Sequence, residues 1–183
     1  MGRSFWAPGQ PTVRPLASGQ WRSVHGAPVT ASAAVNVERC LLLWLPPRLQ
    51  LQAMACYVGT SAASTDLRMG VRADSNGLPG SLLVDAGTTA ATGGTRSLPI
   101  NIIVPDGPAS GVPIWLTVTA QGTNAVTMIG THPTTEYRDW ATVGQAALNA
   151  GVATQNGVTG ALPAGFTMAS VTGPQPALAV QAA

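Results

Sequence analysis

Chemistry on a protein needs side chains brought together as a nucleophile with its base, paired carboxylates, a metal-ligand cluster or a phosphate loop. In this sequence the titratable residues are few and far apart. The acids are Glu38, Asp66, Asp74, Asp85, Asp106, Glu136 and Asp139, the histidines His25 and His132, the cysteines Cys40 and Cys56. No Gly-x-Ser-x-Gly elbow occurs, and neither histidine has a Ser or Cys partner pattern. His25 is read as a hydrogen-bonding residue of a strand region; His132 precedes Pro133 in an expected loop. Asp74-Ser75-Asn76-Gly77 opens like a calcium loop, with Asp85 at its twelfth position. Yet Leu78 holds the fifth place, Pro79 stands where glycine is required, and the last ligand should be glutamate. Cysteines sixteen residues apart without a histidine pair do not make a zinc site. Glu136 or Asp139 could pair in space with another acid, as a glycosidase needs, but spacing does not show such a pair. There is no phosphate loop and no lysine. The expectation is a chain that is not an enzyme, with no catalytic residue, metal or cofactor; a glycan-degrading enzyme is the lesser alternative.

Composition narrows the classes further. The chain has 183 residues, 45% of them hydrophobic and only 9% charged, against roughly 25% charged in an average soluble protein. All nine basic residues are arginine and the net charge is +2. Scattered arginines at that net charge give no electrostatic footprint for nucleic acid. The apolar content argues against a disordered tail, and two cysteines against a disulfide scaffold. Leu41–Leu45 is the longest apolar run, far short of the roughly 20 residues of a membrane helix, so no membrane partner is expected. The opening MGRSFWAPGQPTVRP shows neither a secretory h-region nor the myristoylation pattern. A cytoplasmic origin is therefore expected, with Cys40 and Cys56 buried and reduced; whether they pair stays open.

The elements that must position any site read as β-strands. Leu67–Arg72 alternates apolar with polar or small residues, its arginines expected in water. Met54, Cys56 and Val58 alternate with Ala53, Ala55 and Tyr57; Leu98, Ile100 and Ile102 with Pro99, Asn101 and Ile103. Ile114, Leu116 and Val118 share one face, and Trp115, Thr117 and Thr119 the other. Turn signals recur between them: Ser75-Asn76-Gly77, Pro79-Gly80, Gly93-Gly94, Pro105-Asp106-Gly107 and Gln121–Asn124. Asp74 and Asp85 are expected to accept turn amide hydrogens, with Gly77 at positive φ and Pro79-Gly80 as a second bend. The fold class is all-β: an antiparallel β-sandwich, jelly-roll-like, spanning 21–183. Residues 133–160 read as a loop-rich insertion, with a short helix at Asp139–Ala150 and a loop at Gly151–Gly160. A last strand is expected at Ala177–Gln181.

Residues 1–20 read as an extended arm, broken by Pro8, Pro11 and Pro15. Phe5 and Trp6 in that arm need a surface to cover them and are the expected partner anchors. Tyr57, Trp115, Tyr137 and Trp140 are candidate surface or interface aromatics, offering platforms to sugar rings or a protein; packing between sheets or subunits is the competing reading. A surface poor in charge loses little hydration at an interface, which favours a homo-oligomer.

Two segments, LRMGVRADSNGLPGSLLVDAG (67–87) and VPIWLTVTAQG (112–122), resemble a β-sandwich domain of tailed-bacteriophage virion proteins. That family includes tail-fibre and minor tail proteins and head fibres. Its strand ending in GIYAD, its GLPG turn, its LLLDAGT strand and its YWLAVVSQG strand correspond here to Gly70–Asp74, Gly77–Gly80, Leu82–Thr88 and Ile114–Gly122. Arg39–Val58 fits the family's pattern of apolar run, Pro pair and strand. The likeness covers about 21–122 and Leu162–Gln181; residues 1–20 and 133–160 depart from it. The resemblance implies a structural virion protein assembled in the host cytoplasm among other tail or capsid proteins. It implies a homo-oligomer, with a trimer expected, in a tail fibre or tail tip with host-surface glycan binding. The alternative is capsid decoration or a head fibre anchored by the arm.

Overall fold

Each alternating stretch between 37 and 131 forms a strand, because alternation places one full row of side chains on an apolar face. The computed structural model describes residues 16–23, 28–131, 152–169 and 175–183. Among them no helix occurs. The strands are β1 (Trp21–Ser23), β2 (Pro28–Ala33), β3 (Val37–Leu45), β4 (Gln50–Thr60), β5 (Thr65–Ser75) and β6 (Leu78–Ala90). They continue as β7 (Gly94–Ile103), β8 (Val112–Gly122), β9 (Val126–Thr131), β10 (Val152–Asn156), β11 (Gln175–Pro176) and β12 (Leu178–Ala182). Two sheets result. One has five strands in the order β10-β3-β8-β5-β6; the other has seven, running β1-β12-β4-β9-β11 with β2 beside β9 and β7 beside β4. All strand pairings are antiparallel, so the chain is the expected all-β sandwich.

The core lies between the sheets. Leu41, Leu43 and Leu45 of β3, Met69 and Val71 of β5 and Leu116 and Val118 of β8 face Leu51, Met54 and Val58 of β4, Met128 of β9 and Val180 of β12. Leu51 and Met54 are an odd number of residues apart, yet both are fully buried. A bulge between Leu51 and Ala53 absorbs the extra residue and restores the inward phase. The Asn76-Gly77 turn joins β5 to β6 with both residues at positive φ, 55° and 81°, the two-residue geometry that matches strand twist. The second bend expected at Pro79-Gly80 is not a turn. Both residues lie inside β6, where the register shifts against Arg72 and Asp74, so the irregularity is a bulge. The strand expected at the C-terminus is β12. Of the expected arm, residues 16–20 are described: Leu16 packs on the core, and the Gly19 amide donates to the Ala182 carbonyl at 2.9 Å. Phe5 and Trp6, and the helix expected at Asp139–Ala150, lie outside the described residues.

The loop expected over Gly151–Gly160 is in part a strand. β10 pairs with β3 in the register Ala153 to Cys40 and Gln155 to Glu38. From Asn156 the chain then runs back across the outer face of the five-stranded sheet. The Val158 amide donates to the Asn36 carbonyl, the Leu82 amide to the Ala164 carbonyl and the Ala169 amide to the Thr154 carbonyl. Residues 157–169 thus form a strap, and the sheet beneath it is buried on both faces.

The two cysteines sit on opposite sides of that sheet system. Cys56 belongs to the main core, Cys40 to the smaller cluster under the strap with Leu42, Trp115 and Ala153, and both are free thiols. Burial pushes the Cys56 thiol up to about 12, against the charge of Arg96. Burial, with the Glu38 charge adding to it, raises Cys40 well above its usual value. Because the thiolate is the reactive form, Ellman's reagent at pH 8 should leave the native protein unlabelled over the minutes in which the urea-unfolded chain yields two thiols. Prompt labelling of the native chain would show that the sandwich opens.

Candidate functional site

The β5–β6 hairpin, whose residues carry the most distinctive motif, is built by side-chain caps. Asp74 accepts from the Gly77 amide at 3.0 Å through one carboxylate oxygen and from the Trp115 indole Nε1 at 2.8 Å through the other. Asp85 accepts from Arg68 Nε and Nη2, from the Gly87 amide and from the Leu162 amide of the strap. Burial pushes the Asp85 carboxyl up, but the Arg68, Gly87 and Leu162 hydrogen bonds outweigh it and hold the group below its usual value. A carboxyl whose value is lower folded than unfolded contributes stability above the unfolded value, lost as pH falls through the folded one. Asp85→Asn should therefore lower the melting temperature at pH 7, and the gap to the parent should narrow below about pH 4. A gap independent of pH between 7 and 2.5 would contradict the role given to the charge.

Beneath the strap lies a second constellation. Arg72, expected in water, is fully buried, and so is Glu38. Arg72 Nε donates to Glu38 Oε1 at 2.7 Å and Nη2 to Oε2 at 3.1 Å. Thr117 Oγ1 donates to Glu38 Oε1 at 2.7 Å. The remaining guanidinium protons go to the carbonyls of Gly80, Pro163 and Gly165, and the Phe166 ring covers the group with its centroid 5.4 Å from Cζ. Gly70 makes this closure fit. A Cβ there would sit 2.4 Å from Leu162 Cδ1 and 2.7 Å from the Val84 carbonyl oxygen, so the missing side chain is the space that Leu162 fills. A pair sealed from water and saturated with partners has no route to substrate; it holds the strap down.

Trp115 corrects a further expectation. It is fully buried, in the cluster under the strap, and is no surface platform. Thr117 and Thr119, on the same face, are buried with it. Tyr137 and Trp140, with His25, His132, Glu136 and Asp139, lie outside the described residues. Among the described residues no three His, Cys, Asp or Glu side chains converge as a metal site would require.

What the described surface does offer is on the other sheet. Tyr57 is 48% exposed and Trp21, which the sequence reading passed over, is 45% exposed. Register puts both on the outer face of the seven-stranded sheet. Ser23, Ala179, Ala55 and Ser97 form one cross-strand row; Tyr57 and Thr95 lie in the row to one side, Trp21 in the row to the other. Together with Cys56 and Ala177 they line a shallow depression of about 390 Å³. The available signal for Trp21 was a large aromatic opening a short segment with alternate side chains Trp21 and Ser23 on one face.

No protein-family model matches the chain, and no curated protein matches it. Among solved structures it is similar to a chain of "Structure of infectious bursal disease virus Gx strain", at 13% identity and a TM-score of 0.31, over 100% of this chain and 45% of that one. It is also similar to a chain of "Structure of infectious bursal disease virus Gt strain", at 13% identity and a TM-score of 0.31, over 91% of this chain and 39% of that one. The chain spans less than half the length of either.

Proposed function

We propose that this chain is a non-enzymatic structural subunit of a tailed-phage virion, a component of the tail fibre or tail tip that touches the host surface. One observation carries the reading. The segments that resemble the virion domain are far apart in sequence, yet β8, β5 and β6 are consecutive neighbours in one sheet. The resemblance therefore describes one contiguous piece of architecture rather than turns that recur singly. The engagement of four of the five described acids supports a structural role: Glu38 is held by Arg72, Asp74 by Trp115, Asp85 by Arg68 and Asp106 by Arg48. None of these is poised as a general acid or base in an open cleft. The same reading expects a homo-oligomer, a trimer by the resemblance.

The test is location. Antibody to this chain, bound to intact particles and seen by electron microscopy, should label the tail end. Label over the shell would replace the tail reading with capsid decoration or a head fibre. Absence of label from every particle would overturn the virion reading altogether.

A further inference from the structure

We propose that residues 157–169 are an acid-released strap: protonation of Asp85 lets them lift from the five-stranded sheet while the sandwich beneath stays folded. Release uncovers an apolar patch of Cys40, Leu42 and Trp115 that is closed at neutral pH. The inference is independent of the virion role proposed above.

The strap is fastened differently from the sheets. Among the described residues three main-chain hydrogen bonds tie it down: Val158 to Asn36, Leu82 to Ala164 and Ala169 to Thr154. Its other ties end on side chains. Gln121 Nε2 donates to the Val158 and Gly160 carbonyls, Arg72 to those of Pro163 and Gly165, and the Thr167 amide donates to Gln155 Oε1. The Leu162 amide donates to Asp85 Oδ2 at 3.1 Å. No strap residue belongs to the core between the sheets, so lifting the strap leaves that core whole. An element held in this way opens at a lower free energy than the domain.

Acid acts on that side of the molecule. The strands of the seven-stranded sheet contain no Asp, Glu or His. Of the five described acids, Glu38 lies on β3, Asp66 and Asp74 on β5 and Asp85 on β6, while Asp106 pairs with Arg48 in an exposed loop. Only Asp85 among them binds the strap main chain. The charges around it are Arg68, the exposed Asp66 and, toward the hairpin end, Asp74 on β5, with the Glu38–Arg72 pair that grips Pro163 beside Leu162. The strap, β8 and β10 carry no charged residue. Ionised, Asp85 serves four donors: Arg68 Nε and Nη2 and the Gly87 and Leu162 amides. Protonated, it turns one oxygen into a donor and cannot serve them all. Burial raises this carboxyl, and its hydrogen bonds lower it by more. Docking of the strap is therefore favoured with the carboxylate charged and weakens as pH falls through the folded value.

The two thiols report the two sides, Cys40 under the strap and Cys56 in the main core. The experiment treats the full chain with 4,4′-dithiodipyridine, a thiol reagent active in acid, between about pH 7 and about pH 3. Peptide mass mapping assigns each label, and every rate is divided by that of the urea-unfolded chain at the same pH. The Cys40 rate should rise roughly tenfold on acidification, as hydrogen bonds to a charged group are lost. Cys56 should stay protected and the far-ultraviolet circular dichroism unchanged. Asp85→Asn should show the faster Cys40 labelling already at pH 7 and respond little to acid. Asp66→Asn removes an exposed acid that does not touch the strap and should behave as the parent. Labelling of Cys40 and Cys56 in step would overturn the proposal, because the whole sandwich would then be opening. So would a Cys40 as protected in acid as at neutral pH, or a folded Asp85→Asn as protected as the parent. If Asp85→Asn does not fold, the parent's pH series decides alone.

Discussion

Replacing Arg72 with methionine should destabilise the protein by about 3–5 kcal/mol, because it strands a buried carboxylate. Glu38 and Arg72 are both fully excluded from water, and Arg72 is the only cation hydrogen-bonded to Glu38 among the described residues. Thr117 cannot replace it, since one hydroxyl offers a single proton. The double variant Glu38→Gln with Arg72→Met removes both charges and should recover a large part of the loss, since desolvating the charges is the main cost. Urea unfolding measures both. A single-variant loss below about 1 kcal/mol is what an exposed pair would give, and would mean that the strap does not seal this site. Hydrogen exchange adds a local readout. Arg72 clamps the carbonyls of Pro163 and Gly165, so in Arg72→Met the amides of 157–169 should exchange faster than those of the seven-stranded sheet.

The second large effect belongs to Trp115. Truncation to alanine should lower stability by about 3–5 kcal/mol through the cavity it leaves. A surface tryptophan changed in the same way would move stability by no more than about 0.5 kcal/mol. Trp115→Phe separates the contributions. It keeps most of the ring volume against Cys40, Leu42 and Ala153 but removes the indole proton from Asp74 Oδ1. A hydrogen bond to a charged group contributes about 1.5–3 kcal/mol, so the phenylalanine variant should fall between parent and alanine. Thermal unfolding checks both. In a chain of 183 residues a loss of 3–5 kcal/mol corresponds to a drop of roughly 10 °C. Equal melting temperatures for parent and Trp115→Ala would return this residue to the surface.

The alternation in β4, β7 and β8 was legible because it depends on neighbours two residues apart, and so was the Asn76-Gly77 turn, whose chemistry lies within four residues. The arginines were not. In Leu67–Arg72 both fall on the face away from the main core, and an arginine on an outer face is ordinarily solvated. Only the arrival of residues 157–169 from more than eighty positions away turns that face into an interior. The same crossing buries Thr117, Thr119 and Trp115. It also explains why Glu38, whose sequence neighbour Arg39 falls on the other face of β3, can sit in the middle of a strand assembly. Pro79-Gly80 misled for a related reason: the dipeptide is a turn former locally, but pairing with β5 absorbs it as a bulge.

The sequence by itself determined the strand content, the inward phase of most strands and the hairpin turn, since all are fixed by short-range stereochemistry and by side-chain type. Tertiary structure alone decided which faces stay in water. A strand has two sides, and its own residues specify that one is apolar. They do not specify whether another segment will cover the second. Under the strap that second side became a sealed ion pair; on the opposite sheet no described segment crosses it, and Trp21 and Tyr57 are brought onto one face by the pairing of β1 and β12, from the two ends of the chain, with β4.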